Sequence, residues 1–181
     1  MTKPNRQTMR LKSWNYSWEG YYFVTICIQN HKCVLGNIVN GKISLSFIGK
    51  IIEYEWLNIP RIFANASLDY WVIMPNHIHG IIIIRRGLIH QTPDRGMMNH
   101  APTQWRLMQQ CGVSSGKIIR YFKAKTTKLI HDKNHAFSWQ RNYYDHIIRN
   151  EQSLNQIREY IQNNPLKWDM DVENTANQHL V

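Results

Sequence analysis

Apolar residues along the chain follow two patterns. In some segments β-branched and aromatic residues run together, and in others apolar residues recur every three or four positions. The first pattern predicts buried strands and the second predicts amphipathic helices. Strands are predicted at residues 21–28, 67–74 and 77–84, with a short one inside 137–148. Helices are predicted at residues 47–57, 113–132 and 151–163.

Local signals mark where several of these elements begin. Ser46, Ser114 and Asn150 each precede a predicted helix, and their side-chain oxygens can accept hydrogen bonds from the free amides of a first helical turn. Asn40 and Gly41 separate two short alternating runs, which is typical of a two-residue β-hairpin. The sequence therefore predicts a peripheral hairpin ahead of the first helix.

The order of the elements predicts the fold class. Strand, helix, strand, strand, helix and strand is the order of a ferredoxin-like α+β sandwich, whose antiparallel sheet is covered on one face by the two main helices. A C-terminal helix follows, and the other face of the sheet is expected to stay free. We divide the chain into a basic and aromatic N-terminal arm (1–20), one domain (21–168) with a flexible loop (85–111), and an acidic tail (169–181).

The composition is that of a basic protein. The chain has 181 residues, with 22 Lys and Arg against 12 Asp and Glu and a formal net charge of +10. This excess indicates a polyanionic partner, either nucleic acid or an anionic membrane surface. Membrane insertion is not expected, because no apolar run approaches the ~20 residues that span a bilayer. The N-terminus lacks the apolar core of a signal peptide, and the three cysteines form no Cys-x-x-Cys pair. We therefore expect a soluble cytoplasmic protein.

The positive charge is concentrated in residues 111–150, which hold eight basic residues against two acidic ones. Much of it lies on the predicted helix 113–132. This surface either binds phosphates or is an exposed face that only keeps the protein soluble. The lack of acidic residues before Asp132 favours phosphate binding.

Two histidines lie in the predicted strand 77–84. His77 and His79 are two positions apart, so both side chains point to the same face of the strand. Buried imidazoles need partners, which are either hydrogen-bonding groups of the core or a metal ion. The spacing alone leaves these alternatives open.

The last predicted helix offers further groups for such a site. Tyr160 and Asn164 are four residues apart and therefore stack on one side of the helix. A divalent cation held by two imidazoles and an amide oxygen could polarise a phosphate oxygen, and a nearby tyrosine oxygen could attack phosphorus. Tyr143 and Tyr144 compete with Tyr160 for this role, and a helical tyrosine more often serves packing.

Four blocks of sequence carry a resemblance that goes beyond spacing. They are Tyr-Phe-Val-Thr-Ile at 22–26, Pro-Asn-His-Ile-His-Gly at 75–80, Trp-Gln-Arg-Asn-Tyr-Tyr-Asp-His-Ile-Ile-Arg at 139–149 and Tyr-Ile-Gln-Asn-Asn-Pro at 160–165. In this order they resemble the REP-associated tyrosine transposases, which are single-tyrosine transposases of the His-hydrophobe-His endonuclease superfamily. The resemblance covers residues 18–168.

The resemblance implies a mechanism and a site. His77 and His79 match the metal-binding pair, Asn164 matches the polar residue that completes the metal site, and the metal would be Mg²⁺ or Mn²⁺. Related transposases commonly carry Gln in place of Asn164. Tyr160 matches the tyrosine that attacks single-stranded DNA and leaves a 5′-phosphotyrosine link and a free 3′-hydroxyl. Family substrates are DNA hairpins of imperfect palindromes, and the protein acts either as one chain or as a homodimer.

The DNA would be held by basic and aromatic side chains on the predicted helix 113–132 and in the segment 139–149. These candidates are Lys117, Arg120, Lys123, Lys125, Arg141, Tyr143, Tyr144 and Arg149. Two other functions remain open. The protein could bind hairpin DNA without mobilising it, or it could be a metal-dependent phosphodiesterase that uses water and leaves Tyr160 structural.

Overall fold

Four antiparallel strands form the central sheet of the computed structural model, which describes residues 15–85, 113–133, 135–171 and 173–174. The order across the sheet is β4-β5-β1-β6, so β1 and β5 are central and β6 is an edge strand. A separate hairpin is formed by β2 and β3. The strands are β1 (Gly20–Cys27), β2 (Gly36–Val39), β3 (Lys42–Leu45), β4 (Ala66–Ile73), β5 (His77–Ile84) and β6 (Tyr144–Ile148). The predicted ferredoxin-like α+β class is confirmed.

Helices connect and cover these strands. They are α1 (Phe47–Leu57), α2 (Ile59–Ile62), α3 (Ser115–His131) and α4 (Glu151–Asn163). Two 3₁₀ helices, Gln29–His31 and Asn164–Met170, follow β1 and α4. Most of the N-terminal arm and of the loop predicted at 85–111 lies outside the described residues. No helix within the described ranges combines the length and the apolar character needed to cross a bilayer.

The predicted starts of these elements are confirmed. The side chains of Ser46, Ser114 and Asn150 accept hydrogen bonds from the amides of the first turns of α1, α3 and α4. Asn40 and Gly41 have φ angles of 51° and 71° in the β2–β3 turn, as a two-residue hairpin of mirror-image type requires. Local side-chain chemistry is therefore enough to set these boundaries.

The main hydrophobic core lies between one face of the sheet and the helices α1 and α3. Tyr22, Val24 and Ile26 of β1 face this side and pack with Trp56 of α1 and Phe122 of α3. Trp56 and Phe122 meet edge to face, with ring centroids 5.3 Å apart. The two main helices thus cover one face of the sheet, as expected.

The opposite face of the sheet is partly covered by α4, whereas the sequence interpretation left it free. Leu154 and Ile161 of α4 pack against Phe23, Ile81 and Ile148 of the sheet. The apolar stripe of α4 needs a surface on which to be buried, and these three residues provide it. Because His77 and His79 lie on this same face, the packing of α4 brings its polar flank towards them.

Candidate metal and nucleophile site

His77 and His79 are buried side by side on β5, and hydrogen bonds fix both rings. Asn76 donates its amide hydrogens to the carbonyls of His31 and Glu173, so its Oδ1 faces Nδ1 of His77 at 2.8 Å. His77 therefore carries its proton on Nδ1 and leaves Nε2 bare. Nδ1 of His79 lies 2.9 Å from the hydroxyl of Thr25, its neighbour across β1.

The two imidazoles point at each other. Their Nε2 atoms are 3.0 Å apart, and the bare Nε2 of His77 can only accept. Two nitrogens on neighbouring positions of an octahedral cation, each about 2.1 Å from it, are also about 3.0 Å apart. The spacing of the pair therefore fits a shared divalent cation.

Burial keeps both imidazoles neutral, as metal ligands must be. It lowers the pKa of His77 to about 3, with a smaller contribution from nearby His31. Burial, followed by the neighbouring His77, also lowers the pKa of His79 well below its ordinary value, although Asp171 acts in the opposite direction. Neutral imidazole nitrogens are available to a cation without prior loss of a proton.

Asp171 adds a carboxylate that the sequence interpretation did not include. It is buried, and its ligand oxygen and the ring nitrogens of His77 and His79 all lie within 4.8 Å of one another. No periodic pattern marks this residue, because the 3₁₀ helix Asn164–Met170 carries it back to the sheet. These three residues can hold a divalent cation.

Asn164, the predicted third ligand, lies beside Asp171 at the end of α4. Its amide nitrogen donates to Oδ2 of Asp171 at 2.9 Å. Its Oδ1 is buried and has no hydrogen-bond partner among the described residues. A buried amide oxygen without a partner is costly unless something else binds it, and a cation at the histidine pair would satisfy it. Asn164 thus both orients the carboxylate and offers an oxygen of its own.

Tyr160 brings its hydroxyl to the same point. The hydroxyl oxygen lies 3.1 Å from Nε2 of His79, and the ring meets Phe23 edge to face. The side chain is 45% exposed, so a substrate can reach it. Arg158, one half-turn earlier, pairs with Asp69 of β4 at 2.8 Å and fixes this part of α4 against the sheet.

The phenol of Tyr160 is protonated in the cation-free site. Burial, followed by the carboxylates of Asp171 and Glu173, raises its pKa to about 12, and a hydrogen bond with Asn164 acts in the opposite direction. A bound cation inverts such a local balance, because its charge favours the phenolate. A cation held at the histidine pair would therefore favour the phenolate form of Tyr160.

Gly80 completes the strand beneath the histidine pair. A Cβ at this position would lie 2.4 Å from Cζ2 of Trp56, which is fully buried under the sheet. The missing side chain lets the indole pack directly against the strand that carries His79. Gly80 therefore contributes to the packing beneath the site and not to its chemistry.

The predicted phosphate-binding residues of α3 lie on the other side of the sheet. Lys117 and Arg120 are exposed and Lys125 is partly buried on the helix that packs on the main core, away from the histidine face. Lys123 differs, because its ammonium donates to the carbonyls of Gln140 and Asn142 ahead of β6. Burial lowers the pKa of Lys123 to about 8.

The remaining candidates lie along the edge strand β6 and its flanks. Arg141 and Arg149 are exposed at its two ends. Tyr144 is 43% exposed on the histidine face and touches Phe23, whereas Tyr143 is partly buried against the main core. Exposed side chains along this edge strand therefore lie between the face of the sheet that carries α3 and the face that carries the histidine pair.

No protein-family model matches the chain. An uncharacterized protein of Haemophilus influenzae is 46% identical over 172 residues, a match that spans 92% of each chain. A solved structure of a REP-associated tyrosine transposase bound to a REP hairpin has the same fold, with a TM-score of 0.50 and 19% identity over 93% of this chain and 74% of that one.

Proposed function

The chain belongs to the family of the Haemophilus influenzae protein, and we propose that it is a DNA transposase of the single-tyrosine, His-hydrophobe-His class. One observation carries the proposal: the hydroxyl of Tyr160 lies 3.1 Å from Nε2 of His79, which itself lies 3.0 Å from Nε2 of His77. A nucleophile and a candidate metal pair meet inside one chain. The fold shared with a REP-associated tyrosine transposase and the sequence resemblance support the same assignment.

The cation is Mg²⁺ or Mn²⁺, held by His77, His79 and Asp171 with Asn164 beside them. Two imidazoles alone would suit many metals, but the carboxylate and amide oxygens favour a cation that prefers oxygen. When bound, the cation polarises a phosphate oxygen and favours the ionised form of the tyrosine. The partly exposed Tyr160 leaves room for a phosphodiester at this point.

The reaction is a transesterification. The oxygen of Tyr160 attacks phosphorus, its proton passes to solvent, and the bond from phosphorus to the 3′ oxygen breaks. The 3′ oxygen takes up a proton and leaves as a hydroxyl, while the 5′ side stays linked to Tyr160 as a phosphotyrosine ester. That ester conserves the energy of the broken bond, which suits strand transfer better than hydrolysis.

The substrate is single-stranded DNA with a palindromic hairpin. Phosphates of the stem are contacted by Lys117, Arg120 and Lys125, and the strand to be cut passes around the β6 edge to Tyr160. Arg141 and Arg149 flank this path, and Tyr144 offers an exposed ring for base stacking. A hairpin in the similar solved structure supports this class of substrate.

A second function is favoured by one observation. Tyr160 is protonated in the cation-free site, with a pKa raised to about 12, so a water molecule activated by the cation could attack instead and leave Tyr160 as a positioning group. The protein would then be a metal-dependent phosphodiesterase. The two functions differ in whether the cut DNA stays attached to the protein.

Covalent trapping separates them. We expect hairpin DNA labelled at its 3′ end to leave a labelled, denaturation-resistant adduct when incubated with the protein and Mn²⁺, because the fragment on the 3′ side of the cut stays linked to Tyr160 through its 5′ phosphate. Tyr160→Phe should abolish the adduct, whereas Tyr54→Phe, which changes a 62%-exposed tyrosine on α1, should retain it. Cleavage without an adduct, or an adduct that survives Tyr160→Phe, would overturn the assignment.

A further inference from the structure

We propose a second metal site, formed by Cys27, His31 and Glu173, that binds a borderline-soft divalent cation of the Zn²⁺ type. The ligand atoms of these three residues all lie within 4.8 Å of one another. They come from three separate segments: the end of β1, the 3₁₀ helix Gln29–His31, and the chain after the 3₁₀ helix Asn164–Met170. The site is distinct in its residues from the pair His77 and His79, and the inference does not rest on the proposed function.

The contacts inside the cluster converge on one carboxylate oxygen. Sγ of Cys27 lies 3.6 Å and Nδ1 of His31 lies 2.9 Å from Oε2 of Glu173. Nδ1 of His31 has no well-aligned hydrogen-bond partner among the described residues, despite that short distance. The thiol and the imidazole thus share one carboxylate oxygen, and Nδ1 of His31 is left without an aligned hydrogen bond, which is an arrangement that a shared cation would complete.

The backbone is held in the conformation that this cluster needs. Asn30 and His31 have φ angles of 57° and 51°, which non-glycine residues seldom adopt and which cost on the order of 1 kcal/mol or more each. The amide of Asn76 donates to the carbonyls of both His31 and Glu173, at 3.2 Å and 2.6 Å. One buried side chain therefore ties together two of the three segments that supply ligands.

The ligand types select the metal. Thiolate, imidazole and carboxylate are the three groups that Zn²⁺ binds in proteins, and three protein ligands leave a fourth position open. Mg²⁺ and Mn²⁺ prefer oxygen and gain little from a thiolate. Burial raises the pKa of the Cys27 thiol to about 12, so the cation must displace the thiol proton, and binding releases that proton.

Occupancy would connect this cluster with the histidine pair. Glu173 lies two residues after Asp171, the carboxylate that reaches His77 and His79. A cation bound to Cys27, His31 and Glu173 fastens this segment to the end of β1, opposite His77 in the sheet. The bound cation would therefore hold Asp171 in position beside the histidine pair.

Cobalt titration of the full chain tests the proposal. In a Cys33→Ser, Cys111→Ser background, Cys27 is the remaining thiol, and we expect Co²⁺ to give a near-ultraviolet sulfur-to-cobalt band that Zn²⁺ bleaches. Adding Glu173→Gln, which changes a half-buried side chain outside the core, should weaken Co²⁺ binding at least tenfold. Adding His79→Ala should leave the band intact.

Three results would overturn it. The first is the absence of the band while Cys27 is present in a folded chain, judged by circular dichroism. The second is unchanged Co²⁺ affinity in Glu173→Gln. The third is loss of the band in His79→Ala, which would mean that the metal sits at the histidine pair and borrows the thiol. Cys27→Ser should remove the band, and Glu173→Gln keeps the test valid if that variant does not fold.

Discussion

Acidification should destabilise the cation-free fold steeply below about pH 6.5, because two buried imidazoles stay neutral in the folded chain. Burial lowers the pKa of His77 from 6.5 to about 3 and that of His79 well below 6.5. In the unfolded chain both residues take up a proton near their ordinary pKa. Between the two values the unfolded state binds more protons, so the free energy of unfolding falls as the pH falls.

The size of the effect follows from these directions. Each imidazole that protonates only on unfolding contributes about 1.4 kcal/mol per pH unit. From about pH 6.5 to about pH 4.5 the two together remove about 5 kcal/mol, which is comparable to the whole stability of a small domain at ~5–15 kcal/mol. Burial raises the pKa of Glu55, which acts in the opposite direction, but this contribution is common to the wild type and a histidine variant.

Urea unfolding in the presence of a chelator measures this pH dependence of stability. The free energy of unfolding is determined at several pH values between about 7 and about 4.5 for the wild type and for His77→Gln. We expect the variant to lose about half of the pH dependence, or ~2–3 kcal/mol over that interval. Equal pH dependence in the two proteins would show that His77 is not held neutral by the fold.

Three further predictions concern single features of the site and its surroundings. Asp171→Asn should weaken Mn²⁺ binding at least tenfold by calorimetry, because it removes the carboxylate that lies beside the histidine pair; unchanged affinity would exclude Asp171 as a ligand. Gly80→Ala should cost about 1–3 kcal/mol in urea unfolding, since its Cβ would overlap Trp56, and no loss would mean that the indole can shift. Replacing both Lys117 and Arg120 with Gln should reduce the slope of log binding constant against log salt concentration by the equivalent of up to about two phosphate contacts. An unchanged slope would mean that the phosphates of the hairpin are bound elsewhere.

Much of the fold could be predicted because it depends on local chemistry. The caps at Ser46, Ser114 and Asn150 and the turn at Asn40 and Gly41 each act within a few residues, and all lie where the sequence indicates. The element order then leaves few topologies for the sheet. Periodicity shows that a helix has an apolar stripe, but not which surface buries it. For this reason the covering of the histidine face by α4 was not predicted.

The candidate site likewise contains residues that the sequence predicts and one that it does not. His77 and His79 share a face because a strand alternates, and the family resemblance assigns Tyr160 to them; the hydroxyl lies at hydrogen-bonding distance from His79. Asp171 could not be predicted, since it reaches the pair only through a 3₁₀ turn whose path depends on tertiary packing. The distance in sequence between such groups gives no guide to their distance in space.

Mass spectrometry of the trapped adduct tests the central claim most directly. Trypsin should release residues 159–167 as one peptide, in which Tyr160 is the only tyrosine. After reaction with hairpin DNA and Mn²⁺ and digestion of the DNA, we predict a nucleotide attached to Tyr160 in this peptide. A nucleotide on the peptide 142–149, which contains Tyr143 and Tyr144, would contradict the account, as would cleaved DNA with no modified peptide.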